Sequence, residues 1–275
     1  MRIALYQART GIDPAANAAG LEAAIAEAAA GGAAMLFTPE MSGLLDRDRG
    51  RAAVHYRSEG DDPVLARVRA AASAQGIWVE LGSLALLAED GKRLANRSFL
   101  IDDQGGIRAR YDKMHLFDVD LPTGESWRES ASFAAGEQAV VADSPAGAIG
   151  LSICYDLRFG SLYAALSQAG AILLSIPAAF TVPTGEAHWH VLMRARAIES
   201  ACFVVAAAQC GQHEDGRATY GHSLVVDPWG QVLLDMGGDV SGVGFADIDL
   251  GQIDAVRARV PVLNHRRAIP APVRA

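Results

Sequence analysis

The sequence has 275 residues, a mass of 28.9 kDa and a net charge of −8, with a pI of about 5.3. This acidic balance argues against a non-specific nucleic-acid binder and against peripheral attachment to anionic lipid, because both need a basic face. Hydrophobic residues make up 51% of the chain and charged residues only 20%, which favours a large buried core over extensive disorder.

In the first half of the chain, short apolar runs alternate with Ala-rich segments. The pattern predicts strands at residues 3–7, 33–38, 77–87, 96–102 and 107–111, and helices at 14–30 and 63–75. Pro14 follows the potential cap Asp13, and Gly31 ends the period, so the first helix has clear start and stop signals. A turn at residues 89–92 is expected between the third and fourth strands.

The second half continues this alternation after a segment without a clear period. Residues 112–136 are interpreted as a long loop, which in a compact domain is usually functional. Beyond it the pattern predicts strands at 139–142, 148–153, 171–176, 203–208, 223–226, 232–235 and 243–248, and helices at 159–169, 186–200 and 250–259. An irregular tail is expected from about residue 260.

The mixture of strands and helices predicts a layered α/β architecture, in which both sheets and helices are covered. Hairpin and crossover connections are mixed, which excludes a pure (β/α)₈ repeat. The sequence shows no linker, low-complexity block or internal repeat. We therefore expect a single domain over residues 1–275.

Cysteine content and hydropathy bear on the compartment. Cys154, Cys202 and Cys210 are odd in number and widely spaced, unlike a disulfide framework. The N-terminus lacks the apolar core of a signal peptide, and no run of about 18 apolar residues is present. These features favour a soluble protein of the reducing cytoplasm without membrane contact.

Cys154 is the first candidate for chemistry. It follows the apolar run 148–153 and precedes the start of a predicted helix. A cysteine at such a corner points its sulfur towards a helix N-terminus, where the dipole lowers the thiol pKa. A lone cysteine beside an apolar run is more often an inert core residue.

Three further side chains stand near predicted strand ends. Glu40 lies just past a buried strand, where ligands bind in α/β sheets, and Lys113 lies where a strand enters the long loop. Glu129 is a weaker candidate in the same loop, and His115 has no local partner that would orient it. Each of these residues alone is more often an ordinary surface side chain.

The pattern argues against a metal or nucleotide site. His188 and His190 are two residues apart in a predicted helix and so face different directions. His213 and His222 have no cysteine or carboxylate at ligand spacing, and neither phosphate-binding glycine motif is present. No metal ion or organic cofactor is expected.

Taken together, three short motifs resemble those of the nitrilase, or carbon–nitrogen hydrolase, superfamily. They are Phe-Thr-Pro-Glu (37–40), Tyr-Asp-Lys-Met-His-Leu-Phe-Asp (111–118) and Ile-Cys-Tyr-Asp-Leu-Arg-Phe (153–159). The resemblance runs almost from end to end of the chain. It implies a four-layer αββα sandwich, paired as a homodimer or higher homo-oligomer through the helical face that follows the cysteine. Leu162, Tyr163, Leu166 and Ala169 form an apolar stripe on that helix.

The resemblance also implies the roles of the candidate residues. Glu40 is expected as general base, Lys113 as oxyanion stabiliser and Cys154 as nucleophile. The family's second glutamate falls on Glu129, with Glu125 as the alternative. The backbone N–H of Tyr155 is expected to hold the oxyanion with Lys113, and this chemistry needs no cofactor.

Further segments resemble the Nit branch of the superfamily, which includes deaminated glutathione amidase and omega-amidase. The resemblance rests on residues 184–190, 194–200, 206–213 and 220–230. It implies a thiol amidase acting on a small α-keto acid amide, with deaminated glutathione as the first choice. The alternatives are omega-amidase activity on α-ketoglutaramate or carbamoyl amides, and a non-catalytic binding protein of the same fold.

Two residues are expected to contact that substrate besides Tyr155. Arg158 lies four residues past Cys154, where its guanidinium is placed to bind a carboxylate with two parallel hydrogen bonds. Its alternative role is to pair with Asp156 or Glu129 and support the site. Glu186 stands where the branch is expected to carry proline, and we expect it near the substrate entrance.

Overall fold

The computed structural model of the chain describes residues 1–88, 90–120, 124 and 126–274. Glu89, the first residue of the predicted turn 89–92, and Glu125, the alternative second glutamate, lie outside these residues, whereas Asp90, Gly91 and Lys92 form a turn as predicted. Among the described residues, no helix is both long enough and apolar enough to cross a membrane.

The elements alternate along the chain much as the sequence predicts. The first half contains β1 (Arg2–Gln7), α1 (Pro14–Ala30), β2 (Met35–Phe37), α2 (Arg49–Ala53), α3 (Pro63–Gln75), β3 (Trp78–Leu87), β4 (Leu94–Ile101) and β5 (Ile107–Asp112). The second half contains β6 (Asp118–Asp120), β7 (Ser126–Arg128), β8 (Val140–Ser144), β9 (Gly147–Leu151), α4 (Gly160–Gln168), β10 (Leu173–Ser175), α5 (Val182–Ser200), β11 (Phe203–Ala206), β12 (Cys210–Gln212), β13 (Ala218–Tyr220), β14 (Leu224–Val226), β15 (Val232–Asp235), β16 (Gly242–Asp247) and α6 (Gly251–Arg259). Three-residue 3₁₀ turns occur at Glu59–Asp61 and Glu129–Ala131, and a longer one at Cys154–Arg158.

The first sheet has the strand order β16-β1-β2-β3-β4-β5. Successive side chains of a strand point to opposite faces, and β1 shows the result. Ala4 packs with α1 and α3 in an outer apolar cluster, whereas Ile3 and Leu5 face the second sheet. This sheet is therefore covered by helices on one face and by the other sheet on the other.

The second sheet has the strand order β15-β14-β11-β10-β9-β8. Its central strands are apolar throughout, since one face meets the first sheet and the other meets α4 and α5. Two sheets between two helical layers make the four-layer αββα sandwich that the family resemblance implies. Leu162, Tyr163 and Leu166 of α4 are buried in this core, so most of the apolar stripe packs on its own chain, whereas Ala169 is exposed.

The sequence predicts the ends of two helices well, but α5 begins at Val182, four residues before the predicted start at residue 186. The observed bounds of α1 and α3 agree with the predicted ones because local signals define them. The carboxylates of Asp13 and Asp62 accept hydrogen bonds from first-turn N–H groups, and Gly76 closes α3 with a φ of 61°. Beyond α6, residues 260–274 contain neither helix nor strand, as the predicted tail requires.

The segment 112–136 differs from the predicted structureless loop. Its described part contains the β6–β7 hairpin and a 3₁₀ turn, both too short to show a period. Helix α2 and the β12–β13 hairpin are likewise absent from the sequence prediction. All three additions lie near the candidate residues, where they form the walls described below.

Candidate active site

The four principal candidate side chains meet where strands of the two sheets end. Glu40 lies three residues beyond β2, Lys113 directly follows β5, and Cys154 lies three residues beyond β9. Glu129 reaches the same point from the 3₁₀ turn after the β6–β7 hairpin. The fold thus brings together residues that are far apart in sequence.

Lys113 lies between two carboxylates. Its Nζ donates to Glu40 Oε1 at 2.8 Å and to Glu129 Oε2 at 2.9 Å. Only 2% of Lys113 is exposed, so both ion pairs are shielded from water. Burial alone would lower the pKa of Lys113, but the charges of Glu129 and Glu40 raise it well above its ordinary value.

Glu40 is fixed by donors on both carboxylate oxygens. Besides Lys113, Oε1 accepts from Asn96 Nδ2 at 2.9 Å, and Oε2 accepts the Ala179 N–H at 2.9 Å. Burial would raise the pKa of Glu40, but the charge of Lys113, the hydrogen bonds from Lys113 and Asn96 and the neighbouring Cys154 thiol lower it overall. Glu40 is therefore ionised at neutral pH and held in one orientation.

Cys154 begins the 3₁₀ turn with a φ of 47°, a region that L residues other than glycine rarely occupy. The backbone there is held by its N–H, which donates to the Pro177 carbonyl at 2.9 Å. Here the thiol lies close enough to Glu40 and Lys113 for both charges to shift its pKa. Strained backbone of this kind is concentrated at functional sites.

The thiol is not the thiolate that its corner position predicts. Burial, and then the charge of Glu40, raise the pKa of Cys154 well above its ordinary value, and Lys113 offsets only part of this. A single 3₁₀ turn also has a far weaker dipole than a full helix. The arrangement is therefore a neutral thiol beside an ionised carboxylate, which suits proton transfer to Glu40 during attack.

Asp156 links the 3₁₀ turn at Cys154 to the segment 111–115 that carries Lys113. This fully buried carboxylate accepts the Ile153 N–H at 2.9 Å, the Tyr111 hydroxyl at 2.7 Å and the His115 N–H at 3.0 Å. The His115 ring also contacts Asp156 Oδ1 at 2.7 Å and stacks on Phe159. His115 therefore has an orienting partner that the local sequence does not show, and it serves the scaffold of the site.

A cavity of about 560 Å³ opens above these groups. Glu40, Lys113, Glu129, Cys154 and Tyr155 all line it. The Tyr155 N–H has no acceptor within the part of the chain that the structure describes, so it is available to a ligand. The cavity is large enough for a small organic substrate.

One wall of the cavity carries four arginines: Arg47, Arg49, Arg128 and Arg217. Arg217 is held on two sides. Its Nε donates to the buried Asp215 Oδ2 at 2.6 Å, its guanidinium lies 5.1 Å from the Trp127 ring, and its side chain is 15% exposed. The sequence pattern marks none of these arginines, because α2, β7 and the β12–β13 hairpin, which carry or flank them, are too short to show a period.

Arg158 and Glu186 lie outside this cavity, contrary to the sequence expectation. The Arg158 guanidinium lies over the Tyr155 and Phe180 rings and contacts His188 Nδ1 at 3.2 Å, not Asp156 or Glu129. Glu186 is exposed on α5 and does not line the cavity. Since residues 154–158 form a 3₁₀ turn, Arg158 is rotated away from the position that an α-helix would give it.

Asn96 is a site residue that sequence reasoning misses. Its Nδ2 lies between Glu40 and Glu129, donating at 2.9 and 3.2 Å. The one available signal is an amide inside the apolar strand β4, because a buried polar side chain requires hydrogen-bond partners.

Comparisons with known proteins show which family the chain matches. Residues 2–258 match the family described as carbon–nitrogen hydrolase. The chain is 39% identical to the deaminated glutathione amidase of Yersinia enterocolitica over 269 residues, which cover 97% of this chain and 93% of that protein.

Two solved structures show the same fold. The NitFhit protein of C. elegans superposes with a TM-score of 0.89 at 39% identity, covering 97% of this chain and 65% of that longer chain. This chain therefore spans about two thirds of NitFhit. An amidase from Nesterenkonia sp. AN1, with acrylamide added at its active-site cysteine, superposes with a TM-score of 0.78 at 28% identity, covering 95% of this chain and 98% of that one.

Proposed function

This chain belongs to the carbon–nitrogen hydrolase family and hydrolyses non-peptide carbon–nitrogen bonds of linear amides, and we propose that it does so through a thioester on Cys154, with deaminated glutathione as its substrate. The observation that carries the proposal is the placement of the Cys154 thiol beside a buried, ionised Glu40 that Lys113 holds in place. Relatives that share most of its length bear the name deaminated glutathione amidase, which supports the choice of substrate.

Acylation begins with attack of Cys154 Sγ on the amide carbon. Glu40 accepts the thiol proton as the C–S bond forms, so a charged thiolate need not build up in the buried site. The negative charge moves to the amide oxygen, where Lys113 and the Tyr155 N–H stabilise it. Glu40 then donates its proton to the nitrogen, the C–N bond breaks and the amine leaves.

Deacylation runs through the same groups with water in place of the thiol. Glu40 accepts a proton from water, and the hydroxide forms a bond with the thioester carbon. The C–S bond breaks, the proton returns to sulfur, and the acid product leaves. Glu129 keeps Lys113 charged and oriented through both stages by its 2.9 Å ion pair.

The arginine wall supports an anionic substrate. Deaminated glutathione carries two carboxylates, and the chain as a whole repels anions with its net charge of −8. Arg217 is held by Asp215 through Nε alone, which leaves its terminal nitrogens for a carboxylate in the cavity. The buried Trp127 indole N–H has no acceptor among the described residues and is a further donor beside it.

The test compares three amides with purified protein. Deaminated glutathione and α-ketoglutaramate both release 2-oxoglutarate, and a neutral aliphatic amide serves as the third substrate. We expect the highest kcat/KM for deaminated glutathione, by at least about tenfold, and no turnover by the Cys154→Ala variant. A preference for α-ketoglutaramate would assign the omega-amidase activity instead, and a preference for the neutral amide would contradict an acidic substrate.

A further inference from the structure

Three side chains with metal-ligand atoms converge outside the catalytic cavity. His190 lies on α5, His222 lies just before β14, and Asp235 ends β15. One ligand atom from each lies within 4.8 Å of the other two. The sequence predicts no metal site, and the structure shows why: the three residues come from separate elements and share no local spacing.

Both imidazoles point at one carboxylate. His190 Nε2 lies 2.9 Å from Asp235 Oδ2, and His222 Nδ1 lies 2.8 Å from Asp235 Oδ1. Side-chain exposures of 34%, 24% and 33% leave the cluster open to an ion from solution. Tetrahedral zinc needs ligand atoms about 2.0–2.2 Å from the metal, so only small side-chain movements would admit an ion.

The surroundings hold the three ligands in place. His222 stacks on the Tyr220 ring at 4.4 Å, and its carbonyl accepts the Trp189 indole N–H at 2.9 Å. The Asp235 carboxylate also accepts the Gly237 N–H at 3.0 Å. Such second contacts orient metal ligands and strengthen binding.

The local charge also favours a cation. Asp235 is the carboxylate of the cluster, and Glu186 lies one helical turn before His190 on α5. Both carboxylates lie close enough to Tyr220 to add to the effect of burial in raising the pKa of its phenol. A cation bound here would be attracted by both carboxylates.

We propose that His190 Nε2, His222 Nδ1 and one oxygen of Asp235 bind a single divalent transition-metal ion of the zinc type. Two imidazoles favour such an ion over Mg²⁺ or Ca²⁺, which prefer oxygen ligands. Each histidine would bind the ion through one ring nitrogen, which leaves the other nitrogen to carry the ring proton. Water completes the coordination, because the structure supplies three protein ligands.

Binding at this position would join two segments that continue into the wall of the catalytic cavity. Thr184 of α5 and Thr219 of β13 line that cavity, and Thr181 and Thr219 are bridged by backbone pairing. The ion would connect α5 to the β15 end of the second sheet. Metal binding is therefore expected to stabilise the folded chain as well as this wall.

The test is carried out in the Cys154→Ala protein, since the cavity thiol is itself a potential zinc ligand. Equilibrium dialysis with Zn²⁺ is expected to show one ion bound per chain and a rise in Tm. His190→Gln and Asp235→Asn should each weaken binding by about tenfold or more and abolish the rise in Tm. His188→Gln, on the same helix but outside the cluster, is the matched control and should bind Zn²⁺ as before.

Circular dichroism without metal shows whether each variant folds. Because two variants are used, misfolding of one of them would not decide the result. Co²⁺ provides an independent measurement, since a tetrahedral Co²⁺ complex absorbs visible light. Absence of Zn²⁺ binding to the Cys154→Ala protein would overturn the proposal. Equal binding by the His190→Gln, Asp235→Asn and His188→Gln proteins would do the same.

Discussion

The ionisation of Cys154 depends on two neighbours of opposite charge. Glu40 raises the pKa of the thiol and Lys113 lowers it, both on top of the larger effect of burial. Loss of Glu40 and loss of Lys113 should therefore move the thiol pKa in opposite directions. Amide turnover should nevertheless fall in both variants, because one loses the proton carrier and the other the oxyanion partner.

We expect Glu40→Gln to titrate its thiol at lower pH than the unmodified protein and Lys113→Met to titrate it at higher pH. The measurement is the pH profile of Cys154 alkylation by iodoacetamide, followed by peptide mass spectrometry. Turnover of both variants should drop by at least about 100-fold. Unchanged profiles would show that neither residue lies beside the sulfur.

Arg217 and Arg158 provide a matched pair for the substrate carboxylate. Arg217 lines the cavity, whereas Arg158 lies outside it, over the Tyr155 and Phe180 rings. Arg217→Ala is expected to raise KM for deaminated glutathione by about tenfold or more, because a charge-assisted pair contributes about 1.5–3 kcal/mol. The KM of a neutral amide should change little.

Arg158→Ala should affect the two amides alike. If Arg158→Ala raised the KM of the acidic amide alone and Arg217→Ala had no effect, the substrate carboxylate would bind to Arg158, as the sequence predicts. Steady-state kinetics with both amides and both variants decide between these outcomes.

The sequence predicts the residues that carry out the chemistry, but not the residues that position their side chains. Glu40, Lys113, Glu129 and Cys154 do meet, as the family motifs imply. Asn96 and Asp156 escape prediction because their partners lie on other strands, and a buried amide or carboxylate has no sequence period. The raised thiol pKa also depends on burial, which only the three-dimensional packing determines.

The strand β3 carries a buried acid that the proposed mechanism does not use. Glu80 is 1% exposed between the sheets, and neither carboxyl oxygen has a hydrogen-bond partner within the described residues. Burial raises the pKa of Glu80 to about 8, from an ordinary value of 4.5. The folded chain therefore binds this proton more tightly than the unfolded chain does.

It follows that Glu80 favours folding below about pH 4.5 and that this contribution is lost as pH rises towards 8. Glu80→Gln stays neutral throughout, so its free energy of unfolding should exceed that of the unmodified protein by about 3 kcal/mol at pH 7. The difference should disappear near pH 4.5. Urea titrations at both pH values measure it, and a difference that does not vary with pH would contradict a raised pKa.

Element boundaries follow from the sequence where a local signal defines them. Asp13 and Asp62 mark helix starts, and glycine ends α3. Strands such as β2 and β10 have only three residues, so their ends depend on pairing with neighbours. The 3₁₀ turn that begins at Cys154 has the largest effect on the site, because its geometry directs Arg158 away from the cavity.

The whole molecule leaves an apolar surface on α5 and the β14–β15 turn. Val191, Ile198 and Trp229 are all exposed there, while Leu162, Tyr163 and Leu166 of the α4 stripe are buried in their own core. We therefore predict a two-fold dimer through α5 and Trp229 rather than through the α4 stripe. Light scattering should return about twice the chain mass of 28.9 kDa.

Val191→Glu and Trp229→Glu should shift the mass towards that of one chain. Val240→Glu changes an equally exposed valine elsewhere and serves as the control. A monomeric unmodified protein at micromolar concentration would contradict the dimer. A dimer that survives both glutamate variants would place the contact on another face.

The thioester on Cys154 can be trapped by rapid acid quenching and detected by mass spectrometry. The protein is mixed with deaminated glutathione and quenched within the first turnover, and the peptide containing Cys154 is examined. We expect a 2-oxoglutaryl group on Cys154 and none on Cys202 or Cys210, which are buried away from the cavity. Turnover without any acyl adduct on Cys154, or an adduct on another residue, would contradict it.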